Sequence, residues 1–191
     1  MKIVTFGGNF CYFPLMKYDM VFVDDSFVQC PEKVPGDSVH LDSGVKEDTM
    51  EARRYRIAYM LREIFSRVND DLLLVDSDVY IPPISIEGTV HTFCIPARAK
   101  PSDNVILFCM STNLFIPAFF LKFARDVMDE YLKKEIWKNY YVDIYLYSRL
   151  IPVVKAIPGT YHYINGKKWF ISDSYLTVSY THLTLPTNRE V

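Results

Sequence analysis

LLLVDSD, residues Leu72 to Asp78, is the most informative segment of this sequence. Its continuous apolar run is typical of a central parallel strand, which is buried on both faces. Before it, apolar residues recur three and four positions apart from about Thr49 to Val68, with Asp48 or Thr49 placed to cap a helix. A helix followed directly by a buried strand is typical of a parallel sheet with crossover helices, so the segment predicts an α/β fold.

Further apolar runs extend this pattern along the chain. We predict strands at Lys2–Phe6, Met20–Val23, Ser38–Leu41, His91–Pro96, Val105–Met110, Val153–Ile157 and Tyr161–Ile164. We predict helices at Ala118–Lys134 and Tyr140–Leu150. The expected architecture is one Rossmann-like domain with a mixed, mostly parallel central sheet flanked by helices.

Composition and charge narrow the class of protein. The chain has 191 residues, of which 50% are hydrophobic, and this balance is typical of a folded globular domain. A net charge of -2 offers no basic field for phosphates, so nucleic acid is not an expected partner. The cysteines, which are Cys11, Cys30, Cys94 and Cys109, show no close pair, and we expect reduced, buried thiols.

The sequence contains neither a secretory signal nor an apolar stretch long enough to span a bilayer, so we expect a cytoplasmic location. The most apolar stretch, Phe115 to Phe123, is interrupted by Pro117 and Lys122. We expect it to be the start of a helix packed on the core. The alternative is an exposed patch that contacts a membrane surface or a protein partner.

The end of the chain has an unusual composition. Residues Val178 to Thr187 read VSYTHLTLPT, which resembles the translation, in one frame, of a sequencing adaptor. The alternative is a genuine strand, because the segment is rich in Thr and Leu. We interpret residues 177–191 as a non-native tail and residues 1–176 as the domain, truncated at its carboxyl end. On this interpretation His182, Arg189 and Glu190 have no functional role.

Polar residues follow the predicted strands at the edge where ligands bind in open α/β sheets. Gly7-Gly8-Asn9 follows the first strand, Asp24 and Asp25 follow the second, and Asp76-Ser77-Asp78 follows the apolar run. Two nearby carboxylates supply the hard oxygen ligands that suit Mg²⁺ or Mn²⁺. The alternative for this triplet is a solvated loop of acids at the end of a core strand.

The order of these motifs carries a family resemblance. LLLVDSDVYIPP resembles the metal-binding segment of nucleotide-sugar glycosyltransferases with the GT-A fold, and this implies that Asp76 and Asp78 join the metal to the donor diphosphate. Residues Val21 to Ser26, VFVDDS, resemble the second-strand segment of family 2-like members, whose first acid contacts the nucleotide base. That role falls to Asp24, and Asp25 is expected to cap the following turn.

Three later segments continue the resemblance. Ser111 to Phe115 resembles the acceptor-side loop, and Asp143 falls where inverting members carry an acidic pair, although Val142 stands at the other position. Asp143 is therefore the candidate catalytic base. HYINGKKW, from His162, resembles the late segment of glycogenin-like retaining members, which implies that His162 binds the metal and Lys168 the diphosphate.

The sequence therefore predicts a metal-dependent glycosyltransferase that moves a sugar from a nucleoside-diphosphate donor to an unknown acceptor, with Mn²⁺ or Mg²⁺ as cofactor. Inversion and retention both stay open. One alternative is a catalytically inactive GT-A-like binding or scaffold module, because Asp143 lacks an acidic neighbour. Another is a haloacid-dehalogenase-like phosphatase with Asp76 as nucleophile. The phosphatase is less favoured, because that family begins its core with the motif.

Overall fold

The structure is a computed structural model that describes residues 1–11, 17–77, 79–80, 88, 90–92, 113–150, 155–156, 160–164 and 167–171. Within these residues the chain forms a large mixed sheet, a small antiparallel sheet and a layer of helices. The strands are β1 (Lys2–Gly7), β2 (Met20–Asp24), β3 (Val39–Leu41), β4 (Leu72–Asp76), β5 (Val79–Tyr80), β6 (His91–Thr92), β7 (Leu114–Ile116), β8 (Lys155–Ala156), β9 (Thr160–Ile164) and β10 (Lys167–Ile171). The helices are α1 (Met50–Arg67), α2 (Ala118–Lys133) and α3 (Val142–Leu150).

The large sheet has the strand order β3-β2-β1-β4-β7-β6-β8. Strands β1 to β4 are mutually parallel wherever they pair, and β6 is parallel to β8. Strand β7 runs antiparallel to both of its neighbours. This confirms the predicted mixed, mostly parallel sheet of a Rossmann-like α/β domain.

Helix α1 is the crossover between β3 and β4, and its limits follow from local chemistry. Thr49 caps its first turn, because the side chain accepts a hydrogen bond from the Ala52 amide at 3.1 Å. Its apolar face and that of α2 pack on Val4, Phe22 and Leu74, whose side chains point to one face of the sheet. The predicted cap and the predicted helix are both confirmed.

The other face of β2 carries a smaller cluster of Phe10, Val21 and Val23. Beside it, a disulfide joins Cys11 to Cys30, with their Cα atoms 5.1 Å apart. The expectation of reduced thiols is therefore wrong for this pair. The two cysteines are 19 positions apart in the sequence, so only the return of the chain through β2 brings them together.

The small sheet has the order β10-β9-β5. Strand β9 is antiparallel to both neighbours, and its His162 lies opposite Val79 of β5. The small sheet therefore continues from the end of β4 with only residues 77 and 78 between the two strands. Of these strands, β9 matches its predicted limits closely, whereas β10 was not predicted.

Two expectations for the segment before α2 need correction. Leu114 and Phe115 do not belong to a loop or to the start of a helix, because β7 includes them and pairs with β4. Helix α2 begins at Ala118, after Pro117, and carries the exposed Phe119 and Phe123. The predicted strand at 105–110 and the tail from residue 177 lie outside the described residues. Among the helices that are described, none has the length and apolar character to cross a membrane.

Candidate functional site

The strand order places a crevice beside β1. From β1 the chain continues to β2 and β3 on one side, whereas β4 lies on the other side. In open α/β sheets ligands bind at such a reversal, beyond the carboxyl ends of the strands. Two adjoining cavities of about 410 and 310 Å³ lie at this edge. They share the residues Phe6, Gly7, Gly8, Asn9, Arg53 and Ile57, and we call them together the switch-point cleft.

Backbone forms the floor of the switch-point cleft. Gly7 has a φ of 147°, and a Cβ atom on Gly8 would lie 2.0 Å from the Phe27 carbonyl oxygen. A side chain at either position is therefore strained or excluded, which explains the pair of glycines after β1. The Ser77 hydroxyl donates to the Asn9 carbonyl at 2.7 Å and ties this loop to the end of β4.

Asp76 lies in the larger cavity at the end of β4. The buried side chain of Asn113 holds it from two directions. The amide of Asp76 donates to Asn113 Oδ1 at 2.6 Å, and Asn113 Nδ2 donates to Asp76 Oδ2 at 3.0 Å. Because β7 is antiparallel to β4, the residue that precedes β7 lies beside the residue that ends β4. The orientation of the Asp76 carboxylate is thus set by an amide from a distant part of the sequence.

Asp143 reaches the same cavity from the first turn of α3. Its side chain is 8% exposed, and Oδ1 accepts a hydrogen bond from the Ile144 amide at 2.8 Å. Burial, with a smaller contribution from the negative charge of Asp76, raises the pKa of Asp143 to about 6. The two acids therefore face one cavity, and Asp143 changes protonation near neutral pH.

The start of α3 is anchored by two side chains from other helices. Arg54 of α1 donates to the carbonyls of Trp137 and Lys138 at 3.3 Å, and its guanidinium lies 4.3 Å from the centre of the Tyr141 ring. Tyr131 of α2, which is fully buried, donates to the Tyr140 carbonyl. Both contacts hold the backbone just before Asp143, so α1 and α2 together determine where this acid lies.

Asp24 lies in the smaller cavity but is engaged by the protein itself. It is 2% exposed, and its oxygens accept from the Ser26 amide at 3.1 Å, the Ser43 amide at 3.2 Å and the Ser43 hydroxyl at 2.8 Å. Arg56 Nε lies 4.0 Å from Asp24 Oδ2. Asp24 therefore caps the turn after β2.

That cap was expected of Asp25, and the expectation is wrong. The Asp25 carboxylate is instead largely exposed and pairs with His40 Nδ1 at 2.7 Å.

The arginines of α1 differ in their surroundings. Arg56 is buried over the Phe27 ring and donates to the carbonyls of Val45 and Glu47. Its burial lowers its pKa, although the charges of nearby acids oppose that shift. Arg53 is half exposed, lines both cavities and forms a bidentate pair with Asp48 at 2.7 and 2.9 Å. Arg53 is thus the cation between the two compartments.

The remaining predicted site residues are placed only in part. Asp78 and the side chains of His162 and Lys168 lie outside the described residues. The backbone of His162 lies opposite Val79, the residue after Asp78, and Lys168 lies opposite Tyr163. Among the described side chains, no three acids, histidines or cysteines cluster as metal ligands. The predicted set of Asp76, Asp78 and His162 therefore stays a prediction.

Sequence reasoning missed Tyr131 and Arg54 as parts of this site. It included Asn113 in the predicted acceptor-side loop, Ser111 to Phe115, but not its contact with Asp76, which requires knowing that β7 is antiparallel to β4. Tyr131 and Arg54 belong to amphipathic helices, where their residue types predict packing or solvation. No local signal marks these three contacts, because the partners are distant in sequence.

Comparison with known proteins places the chain among viral proteins. The uncharacterized protein ORF208 of Acidianus filamentous virus 2 (isolate Italy/Pozzuoli) is 35% identical over an alignment of 197 positions, which spans 94% of this chain and 92% of that protein. The uncharacterized protein ORF238 of the same virus is 33% identical over 62% of this chain and 53% of its own length. The uncharacterized protein 209 of Sulfolobus islandicus rod-shaped virus 1 is 27% identical over 86% of this chain and 81% of its own length.

No family model and no solved structure matches the chain. The identity with ORF208 and its nearly complete coverage nevertheless define the relationship. The chain belongs to the family of viral proteins that includes the uncharacterized protein ORF208 of Acidianus filamentous virus 2.

Proposed function

We propose that this protein is a metal-dependent glycosyltransferase that binds a nucleoside-diphosphate sugar in the switch-point cleft. The observation that carries the proposal is the convergence of Asp76 and Asp143 on one cavity at the reversal of strand order. An acid at the end of a central strand and a second acid with a raised pKa are what metal binding and proton transfer require. Their meeting in a cleft is the arrangement to test.

Asp76 is the proposed ligand for Mg²⁺ or Mn²⁺. Its carboxylate is oriented by the Asn113 amide, and such outer hydrogen bonds are typical of carboxylates that hold metals. Asp78 and His162 complete the proposed set, which the pairing of His162 with Val79 supports. Such a metal would neutralise negative charge on the leaving diphosphate. Lys168 is the proposed cation for the same diphosphate.

Asp143 is the proposed general base. It would take the proton of the acceptor hydroxyl as the new glycosidic bond forms and the bond between sugar and diphosphate breaks. A pKa of about 6 leaves Asp143 mostly ionised at pH 7 and basic enough to accept a proton. The contacts of Arg54 and Tyr131 keep the acid at the cavity wall, which supports this role.

The smaller cavity is the proposed site for the nucleoside. Asp24 lines it, and we propose that this acid contacts the base or the ribose. The protein donors on Asp24 include one hydroxyl and two amides, and they hold the carboxylate in one orientation. Arg53, between the two compartments, lies where a diphosphate would join the nucleoside to the sugar.

Calorimetric titration of UDP and GDP, with and without Mn²⁺, tests the binding step. We expect binding of one nucleotide that depends on Mn²⁺ and is weakened at least about tenfold by Asp76→Asn. Asp126→Asn is the matched control, because Asp126 is an exposed acid on α2 that pairs with Lys122. Absence of binding to either nucleotide, with and without Mn²⁺, would count against the proposal.

The catalytically inactive binding module remains the second candidate, because Val142 stands where an acidic pair would have its other member. Hydrolysis or transfer of UDP-glucose and GDP-mannose separates the two candidates. An enzyme would release the nucleoside diphosphate, and Asp143→Asn would stop the release without abolishing nucleotide binding. Binding without any release would favour the inactive module.

We also propose the exposed Phe119 and Phe123 of α2 as a contact for a membrane surface or a protein partner. Phe119 is 72% exposed, although it belongs to an otherwise core-packed amphipathic helix. Co-sedimentation with lipid vesicles, compared between the wild-type protein and Phe119→Ser, tests the membrane case. Equal sedimentation of both would exclude this residue as a membrane contact.

A further inference from the structure

The Cys11–Cys30 disulfide lies directly beside the floor of the switch-point cleft. Cys11 is two residues after Asn9, and Cys30 directly follows Gln29; both Asn9 and Gln29 line the cleft. Between them, Asn9 and Gln29 form an isolated parallel bridge. The disulfide therefore closes the end of a short ladder whose other end is exposed to the cleft.

The ladder is held by backbone hydrogen bonds and by the buried side chain of Phe10, which packs on Val21 and Val23. The Gln29 amide donates to the Gly8 carbonyl, and the Phe10 amide donates to the Gln29 carbonyl at 3.3 Å. Lys33 Nζ donates to the Cys11 carbonyl at 2.6 Å. Pairing of so few residues is weak in water, so a covalent link at its end has a large relative effect.

Cys30 itself has an unfavourable backbone conformation. Its φ of 54° and ψ of 56° lie in the left-handed region, which non-glycine residues rarely occupy. Surrounding contacts must hold a residue in that conformation, and the disulfide is one of them. Breaking it removes a restraint from the residue adjacent to Gln29.

The loop that contains Asn9 is also connected to the segment Asp76-Ser77-Asp78, the Asp76 triplet. The Asn9 carbonyl accepts from the Ser77 hydroxyl at 2.7 Å, and Ser77 lies between Asp76 and Asp78. A Cβ atom on Gly7 would lie only 3.3 Å from Ser77 Oγ, so the loop and the triplet are in close contact. Movement of Asn9 therefore removes a hydrogen-bond acceptor from the residue after Asp76.

We propose that the Cys11–Cys30 disulfide positions the Asp76 triplet through Asn9 and Ser77, so that the shape of the cleft depends on the redox state of this pair. A dithiol reductant would break the S–S bond by exchange. Each cysteine sulfur then gains one electron and one proton, and the reductant becomes a disulfide. Cys11 and Cys30 are thus positioning residues for Asp76.

Residue-resolved amide hydrogen exchange by NMR, on the oxidised protein and on the protein reduced with dithiothreitol, tests this link without any ligand. We expect exchange at Phe10 and Gln29, and also at Asp76, to become about tenfold faster on reduction. Exchange at Met128 and Tyr131 in α2 should be unchanged. Faster exchange at Phe10 and Gln29 with no change at Asp76 would overturn the proposal, and so would an equal increase at all these positions.

Ser77→Ala, with the disulfide intact, tests the connection from the other side. We expect faster exchange at Asp76 and no change at Gln29, because only the hydrogen bond between the loop and the triplet is removed. Unchanged exchange at Asp76 would contradict the proposed path. The double variant Cys11→Ser with Cys30→Ser serves as the redox control, and dithiothreitol should have no effect on it. If the double variant does not fold, the reduced wild-type protein and Ser77→Ala still decide the question.

Binding of UDP and GDP in the presence of Mn²⁺ provides a second readout, which rests on the proposed function. Reduction should weaken the binding about tenfold, in line with the exchange result. If neither nucleotide binds in either redox state, the proposed function fails. The amide hydrogen exchange results would still test the role of the disulfide. If binding is equally tight in both states, redox control of the cleft is excluded.

Discussion

The two ends of the switch-point cleft each contain a buried carboxylate, and the two carboxylates differ in the donors and charges around them. At the end of β2, Asp24 accepts hydrogen bonds from Ser26 and Ser43 and lies near the buried cation of Arg56. At the start of α3, Asp143 accepts from the Ile144 amide and faces the negative charge of Asp76. The first acid is surrounded by hydrogen-bond donors and a cation, whereas burial raises the pKa of the second.

This difference separates structural acids from acids suited to chemistry. A buried carboxylate with a cation and several donors contributes to holding a loop, and its removal takes a buried partner from the cation. A buried carboxylate beside another acid makes the folded state less stable at neutral pH, and such a cost is typical of functional sites. The contrast predicts opposite effects of substitution at the two positions.

The largest expected effect is the loss of stability in Asp24→Ala. Without the carboxylate, Arg56 loses its buried acidic partner and keeps the half-exposed Asp48 at 3.9 Å, and the donors of Ser26 and Ser43 lose their acceptor. We expect the free energy of unfolding to fall by roughly 3 kcal/mol, as measured by urea denaturation. Asp25→Ala is the matched control, because Asp25 is exposed, and it should change the value by less than about 1 kcal/mol. Equal losses of stability in the two variants would contradict the structural role of Asp24.

Asp143→Asn should change stability in the opposite direction. The pKa of Asp143 rises from 3.8 to about 6 on folding, so between these values the folded state binds more protons than the unfolded state. The free energy of unfolding of the wild-type protein should therefore decrease as pH rises from about 4 to about 6, by roughly 2–3 kcal/mol.

The variant lacks this decrease and should be the more stable protein at pH 7. Urea denaturation at several pH values compares the two proteins. A wild-type protein that loses no stability relative to Asp143→Asn across this range would contradict the raised pKa.

Tyr131→Phe should have a smaller effect on stability and should also change the pKa of Asp143. The substitution removes only the hydroxyl that donates to the Tyr140 carbonyl, at a cost of about 1 kcal/mol in the free energy of unfolding. Because the start of α3 is then held less firmly, water reaches Asp143 more easily and its pKa should fall below about 6. Carbon-detected NMR titration measures this pKa. Phe120→Leu, at a half-buried position on the same helix, controls for general loosening and should leave the pKa unchanged.

The smallest effect is expected for Arg53→Gln. Arg53 is half exposed and pairs with Asp48 at the surface, so we expect no measurable change in the free energy of unfolding. Arg53 differs in this respect from Arg56, three residues along the same helix. Thermal denaturation of Arg53→Gln and of Arg56→Gln compares the two positions directly. A large loss of stability for Arg53→Gln would show that the two arginines are structurally equivalent.

Much of the parallel half of the sheet could be predicted, because its signals are local. Apolar runs mark β1, β2 and β4, and the spacing of apolar residues marks α1 and α2. Strands β7 and β10 were missed for opposite reasons. The run that contains β7 continues into the apolar start of α2, so its composition did not separate strand from helix. Residues of β10 include the lysines Lys167 and Lys168, which weaken the strand pattern.

The candidate site likewise has features that local sequence signals predict and features that depend on distant segments. Asp76 was predicted as an acid that follows a buried strand, and Asp143 was predicted from the family resemblance; the structure places both at one cavity. Whether each acid serves the fold or a reaction was not visible, and the turn after β2 is capped by Asp24 and not by Asp25 as expected. The surroundings of Asp24 depend on a hydrogen bond from Ser43 and on the charge of Arg56, which come from later segments of the chain.

Local sequence signals account for the α/β class, the crossover helix and the acids that end the strands, because hydrophobic periodicity and capping act over a few residues. The three-dimensional fold was needed to show that Asn113 orients Asp76, that Tyr131 and Arg54 hold Asp143, and that Cys11 meets Cys30. Each of these contacts joins segments brought together by strand order or helix packing. Local patterns carry no information about which distant segment becomes the neighbour, and that neighbour sets the orientation of Asp76 and contributes to the raised pKa of Asp143.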